Sequence, residues 1–204
     1  MSHSPATDAA PGPRESYLGQ REGKLTLVSV VAMLALVLAY VGFMRAGHTT
    51  SFGGFLPSEL ADAGGSVYSS KCASCHGGTG GGSGINPGFT GGGAATTFPD
   101  PIDQVRWVIL GAADPAGAAL YTAAGKTATG AMPAWGTNKL LTLTEIVHVV
   151  LYERYEIGGL PVAPEAEAWK GLSALLEEFP DLGFTQADVD ALIGEIDAAA
   201  AAEA

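Results

Sequence analysis

Three hydrophobic patterns follow one another along the chain. Residues 25–44, LTLVSVVAMLALVLAYVGFM, form an apolar run of 20 residues with no charge and no polar face. A helix of that length is about 30 Å long, the thickness of bilayer hydrocarbon, so the run predicts a membrane-spanning helix. The second pattern consists of short amphipathic stretches. Over residues 101–110, Ile102, Val105 and Ile109 face one way and Gly111 supplies a stop. Over residues 140–155, Leu143, Ile146, Val147, Val150 and Leu151 recur at helical spacing and predict a buried stripe. Glu145, His148 and Tyr152 fall on another side, which predicts an exposed His148. The third pattern is a pair of helical segments near the end. Residues 164–179 carry Trp169, Leu172, Leu176 and Phe179 on one face. Thr185 with Asp188 predicts a capped helix whose apolar side is Val189, Leu192, Ile193 and Ile196. Its alanine-rich end is expected to fray.

Polar stretches divide these patterns. Residues 1–24, with Pro5, Pro11, Gly12 and Pro13, read as a disordered arm. Residues 45–58, with Gly47, Gly53, Gly54 and Pro57, read as a tether. Gly158 and Gly159 open a separate extension over residues 158–204. Residues 112–130 look like an insertion to which the sequence assigns no role.

Charge sharpens this division. The chain carries a net −11, and residues 156–204 alone carry −10. A surface that grips nucleic acid is excluded on that balance. The acidic extension reads either as a docking element for a basic or apolar partner or as a lid packed on the preceding domain. Arg14, Arg21 and Lys24 precede the apolar run, and Arg45 alone follows it closely. This asymmetry predicts a cytoplasmic amino terminus, with everything from about residue 46 on the outer face of the cytoplasmic membrane. A cleaved signal peptide is the rival reading, but no good small-x-small site follows the run. An uncleaved anchor in membrane lipid is therefore expected.

The chemistry centres on Cys72-Ala-Ser-Cys75-His76. C-x-x-C-H is the attachment sequence of a c-type haem. Two thiols three residues apart on a helical turn can each add to a porphyrin vinyl group, and the same turn directs the adjacent imidazole at the iron. Two cysteines are too few for a disulfide scaffold or a four-ligand zinc site. His76 supplies one axial position. Beyond the apolar run, the other candidate donors are Met132, His148 and His48. Met132 precedes Pro133, which stiffens the loop, and is the preferred donor. His148 stays open as the alternative, whereas His48 lies in the tether. A neutral thioether opposite histidine raises the reduction potential, and two filled axial positions suit electron transfer rather than bond making.

With these residues in view, a family resemblance is plain. Gly64, Tyr68 and Cys72-Ala-Ser-Cys75-His76-Gly77 resemble the first helix of the class I cytochromes c. Gly130-Ala-Met132-Pro133-Ala-Trp135 resembles their distal-ligand loop, and the segment from Leu143 to Tyr152 resembles their last helix. The resemblance covers residues 59–157. It implies an all-α fold around one haem, here preceded by one transmembrane helix and followed by an acidic helical tail. It also implies a close crossing of the first and last helices at Gly64, near Tyr152. The segment Asn86-Pro87-Gly88-Phe89 is similar to the family's proline turn, so the Pro87 carbonyl is expected to accept a hydrogen bond from His76. Trp107 and Trp135 are expected near the haem. The function that follows is one-electron transfer by a membrane-tethered carrier between respiratory partners such as a quinol-oxidising complex and a terminal oxidase. The alternatives are a fixed haem subunit of a larger membrane oxidoreductase and a haem sensor with an open iron site.

Overall fold

The computed structural model describes Met33, residues 55–127 and residues 132–203. The chain divides into two compact units, Met1–Gly47 and His48–Ala204. Apart from Met33, all described residues belong to the second. The arm, almost all of the apolar run and most of the tether lie outside the described residues. Among the described residues, no helix is long and apolar enough to cross a membrane.

The second unit is mostly helical; its only described β-pairing is an isolated bridge between Ser83 and Asn86. Helix α1 (Ser58–Val67) passes into a wide π-helical turn, Tyr68–Cys72, and then into the short α2 (Ala73–His76). A glycine-rich loop leads to α3 (Gly93–Thr97). Helix α4 (Pro101–Leu110) starts where Asp100 accepts from the Ile102 N–H, with proline in the first turn. The 112–130 insertion contains α5 (Pro115–Ala123), capped in the same way by Asp114. Helix α6 (Leu143–Leu151) opens with a reciprocal capping box between Thr142 and Glu145 and runs into a π-helical turn, Tyr152–Ile157. Two 3-10 turns, Ala163–Glu165 and Ala168–Gly171, lead to α7 (Leu172–Glu178). The chain finishes in α8 (Gln186–Ala202), whose Thr185–Asp188 box is the one the sequence predicts.

Helix α6 is the central post. Leu143, Ile146, Val147, Val150 and Leu151 are fully buried, as their spacing requires. Val149 and Tyr152 are buried as well, because α6 is clasped on a second side by α1. The crossing depends on Gly64. A Cβ there would collide with the His148 carbonyl oxygen and lie 2.6 Å from the Tyr152 Cβ. Only a residue without a side chain permits that approach. This contact corrects the expectation of an exposed His148: the residue is half-buried, and burial holds its pKa below the ordinary value.

The tail departs from its expected form in three ways. Residues 164–179 are not one helix, since two 3-10 turns precede α7. Leu175, outside the expected face, is fully buried with Trp169 and Leu172, while Leu176 and Phe179 are only partly buried against the same cluster. The alanine-rich end does not fray; α8 stays helical to Ala202, and Ala199 is buried. Beyond it, the Glu203 carboxylate accepts from the N–H groups of Val162 and Ala163 at 2.8 and 3.0 Å. Trp169, Leu172, Leu175, Val189, Leu192 and Ile196 share one hydrophobic cluster with Val105, Ile109 and Ile146. The tail is therefore a lid on the preceding helices, which bury its apolar side.

Candidate functional site

The cysteine motif faces a cavity of about 260 Å³, lined by Cys72, Cys75, His76, Pro87 and Met132 among others. Residues from distant parts of the chain thus meet at one place, and three elements aim them.

The first is the turn through Tyr68–Cys72. The wider π-helical winding carries one extra residue per turn, which sets Cys72 inward while Cys75 remains at the surface. Both cysteines are free thiols. Burial, followed by the influence of nearby Glu153, pushes the Cys72 thiol well above its usual pKa. The Tyr68 hydroxyl donates to the Gly77 carbonyl at 2.7 Å and closes the motif from behind.

The second element is the glycine-rich loop. It returns Pro87 beneath His76, where the Pro87 carbonyl lies 2.8 Å from His76 Nδ1. A carbonyl can only accept, so Nδ1 carries the proton and Nε2 keeps its lone pair. The Phe89 ring stacks on the imidazole at 4.7 Å and further limits its rotation.

The third element positions Met132. The Met132 carbonyl accepts from the Ala112 N–H at 3.0 Å, and the Trp135 N–H donates to Val108 at 3.1 Å. The methionine loop is thus laced to the end of α4. Gly111 makes this possible: its φ is +70°, and a Cβ there would sit 2.7 Å from the Met132 carbonyl oxygen. Met132 itself is partly buried against the core.

The walls are largely aromatic. Trp107 and Trp135 line the cavity, as expected from the sequence. Tyr121, from the insertion, stacks on Trp107 at 4.9 Å, and Phe98 adds another ring at 6.1 Å from Trp107. The insertion therefore supplies a wall. His148 is not among the lining residues. Tyr121, Gln104 and Glu153 are among the wall residues that no motif in the sequence points to. A signal for Glu153 did exist, since it follows Val149 by four residues and continues the buried side of α6.

Comparison with known families agrees with this arrangement. Residues 59–152 match the family model described as "Cytochrome C oxidase, cbb3-type, subunit III". Residues 59–152 are a c-type cytochrome domain. No curated protein and no solved structure matches the chain. A c-type cytochrome domain carries covalently bound haem c and transfers electrons. The donor set fits such a group: two free thiols, an imidazole whose Nδ1 is already engaged, and a thioether all line one aromatic-walled cavity.

Proposed function

We propose that this chain is a membrane-tethered electron carrier with one haem c. In this reading Cys72 and Cys75 hold the porphyrin through thioethers, and His76 and Met132 bind the iron. When bound, the group supplies a reversible one-electron couple; the protein's part is to hold it and tune it. The observation that carries the reading is the convergence of both thiols, the His76 ring and Met132 on one cavity. Pro87 keeps Nε2 of His76 directed away from its own hydrogen bond and raises the donor strength of the ring. The aromatic walls and the buried Cys72 side exclude water, which favours the less charged, reduced state. Cys75, at the exposed end, marks the edge through which electrons pass. The apolar run 25–44 anchors the domain in membrane lipid on the extracytoplasmic side of the cytoplasmic membrane. There it works between redox proteins such as a quinol-oxidising complex and a terminal oxidase.

Haem staining of a denaturing gel tests the attachment. Wild type stains, and Cys72→Ser with Cys75→Ser loses the stain; a stain retained by the double variant overturns it. Met132→Ala is expected to remove the thioether–iron charge-transfer absorption and to lower the potential. His148→Ala should leave both in place, and the reverse pattern would make His148 the ligand.

A second reading is favoured by the description of the matching family, which names a subunit of a cbb3-type oxidase. The chain would then be a fixed haem subunit of an oxidase complex. Mild detergent extraction followed by sizing separates the two readings. Recovery as a lone haem protein supports the carrier, and recovery only with stoichiometric partners supports the subunit.

A further inference from the structure

We propose that Glu153 is a proton-binding site coupled to the redox state of the haem: it takes up one proton from solvent when a one-electron donor protein reduces the iron, and releases it when the electron leaves. The inference rests on the reading that the cavity holds haem c.

The geometry isolates this carboxyl. Glu153 is 4% exposed and forms part of the cavity wall. Gln104 Nε2 donates to it at 2.9 Å, and Gln104 is neutral and buried. The amide cannot turn over, because its Oε1 accepts from Arg154 Nη1 at 2.9 Å. Arg154 is itself engaged by Glu165, with contacts of 2.5 and 2.8 Å. The nearest guanidinium is therefore committed to another carboxylate. Among the described residues, no cation is in ion-pair contact with Glu153.

A carboxyl in that setting favours its neutral form. Burial pushes the Glu153 pKa up to about 8, against the opposing hydrogen bonds from Gln104 and Cys72. The titratable and charged groups around it are few. Tyr68 and Cys72 face it from the turn before the motif, and Tyr152 and Arg154 flank it on its own turn. Lys71, His76 and Tyr121 lie around the same cavity. Burial raises the pKa of Tyr68 and of Tyr121, so both stay neutral where Glu153 titrates. A Cys72 tied up as a thioether has no proton to exchange.

Coupling follows from charge. An electron added in the cavity makes a nearby carboxylate less favourable, so the Glu153 pKa is higher in the reduced protein than in the oxidised one. By linkage, the reduction potential falls with rising pH between those two pKa values and is level on either side. The balance is one electron from the donor and one proton from solvent, with no other bond made or broken.

The test is a spectroelectrochemical titration of the full-length, haem-stained protein in detergent, from about pH 6 to about pH 10. Wild type should show a fall centred near or above pH 8, with a limiting slope of about 59 mV per tenfold change in proton concentration. Glu153→Gln, which keeps the shape and removes the charge, should give a flat line in this window. Gln104→Leu removes the donor to the ionised form and should move the fall to higher pH. A level wild-type potential, or an unchanged slope in Glu153→Gln, overturns the proposal. Redox-difference infrared spectra of wild type give a readout that needs no variant. A protonated-carboxyl carbonyl band should grow on reduction near the midpoint pH, and its absence counts against Glu153. Protein without covalent haem would overturn the haem reading and this proposal together; stained protein with a level potential overturns this one alone.

Discussion

The Gly64 crossing and the Arg154 hub attach different parts of the chain to the same helical post, and they use opposite chemistry. At Gly64 there is no side chain at all. Helix α1 approaches α6 until the backbone of one meets the Cβ of the other, and the cysteine motif is thereby set in place. At Arg154 a fully buried guanidinium joins the tail to the core. It donates to Glu165, to the Phe98 carbonyl at 2.9 Å and to Gln104. Glu165 also accepts from the Tyr155 hydroxyl at 2.8 Å, which in turn accepts from the Trp169 indole at 2.6 Å. The family match ends at residue 152, immediately before this hub. A segment with no recognisable motif is thus wired, through Arg154 and Gln104, to a carboxyl in the wall of the cavity that the cysteine motif faces. The lesson is that the end of a family match is not the end of the site.

The two attachments should break differently. Arg154→Ala strips a buried network of its cation, leaving Glu165 without its ion-pair partner and the Gln104 Oε1 without its donor. A loss of about 3–5 kcal/mol is expected, read as a lowered midpoint in denaturant unfolding. If the loss is small, the tail is held by apolar packing alone. Gly64→Ala should cost about 1–3 kcal/mol, because it meets the His148 carbonyl and the Tyr152 Cβ, both fixed by the helix backbone. It should also reduce haem attachment at Cys72 and Cys75, which Arg154→Ala need not do. An effect of comparable size appears in pH. The folded Glu153 pKa of about 8 lies above its ordinary value of 4.5. Between those values the folded state holds a proton that the unfolded chain releases, so stability falls as pH rises through that window. The limiting slope is about 1.4 kcal/mol per pH unit. Glu153→Gln should flatten it, and a slope retained in that variant would point to another group. The smallest effect belongs to the tail's outer end. Thr185→Ala removes the α8 cap at a cost of about 1 kcal/mol and should leave the haem spectrum unchanged. A spectral change would mean that even the far end of the lid is sensed in the cavity.

Much of this was legible in the order of residues. The spacing of Cys72, Cys75 and His76 reads as a haem-attachment pattern without any tertiary information, because thiol addition and axial ligation both demand a single helical turn. The α6 stripe and the Thr185–Asp188 box are local patterns that the chain obeys wherever it is placed. The Pro87 carbonyl was anticipated only through resemblance, since its meeting with His76 depends on how the glycine-rich loop returns.

What the sequence determined by itself were the features that rest on neighbours three or four positions away: the motif, the caps and the apolar periodicities. Only the tertiary structure decided how Met132 is laced to α4, that Tyr121 walls the cavity, that the acidic tail is a lid, and that Arg154 spends its charge on Glu165 rather than on Glu153. Each of those depends on partners distant along the chain, such as Arg154 with Glu165 at a separation of 11, Arg154 with Gln104 at 50 and Arg106 with Glu178 at 72. Local spacing carries no record of which distant backbone will close on which side chain. Burial then does the rest, because a charge withdrawn from water is governed by whichever partner the fold has brought within reach.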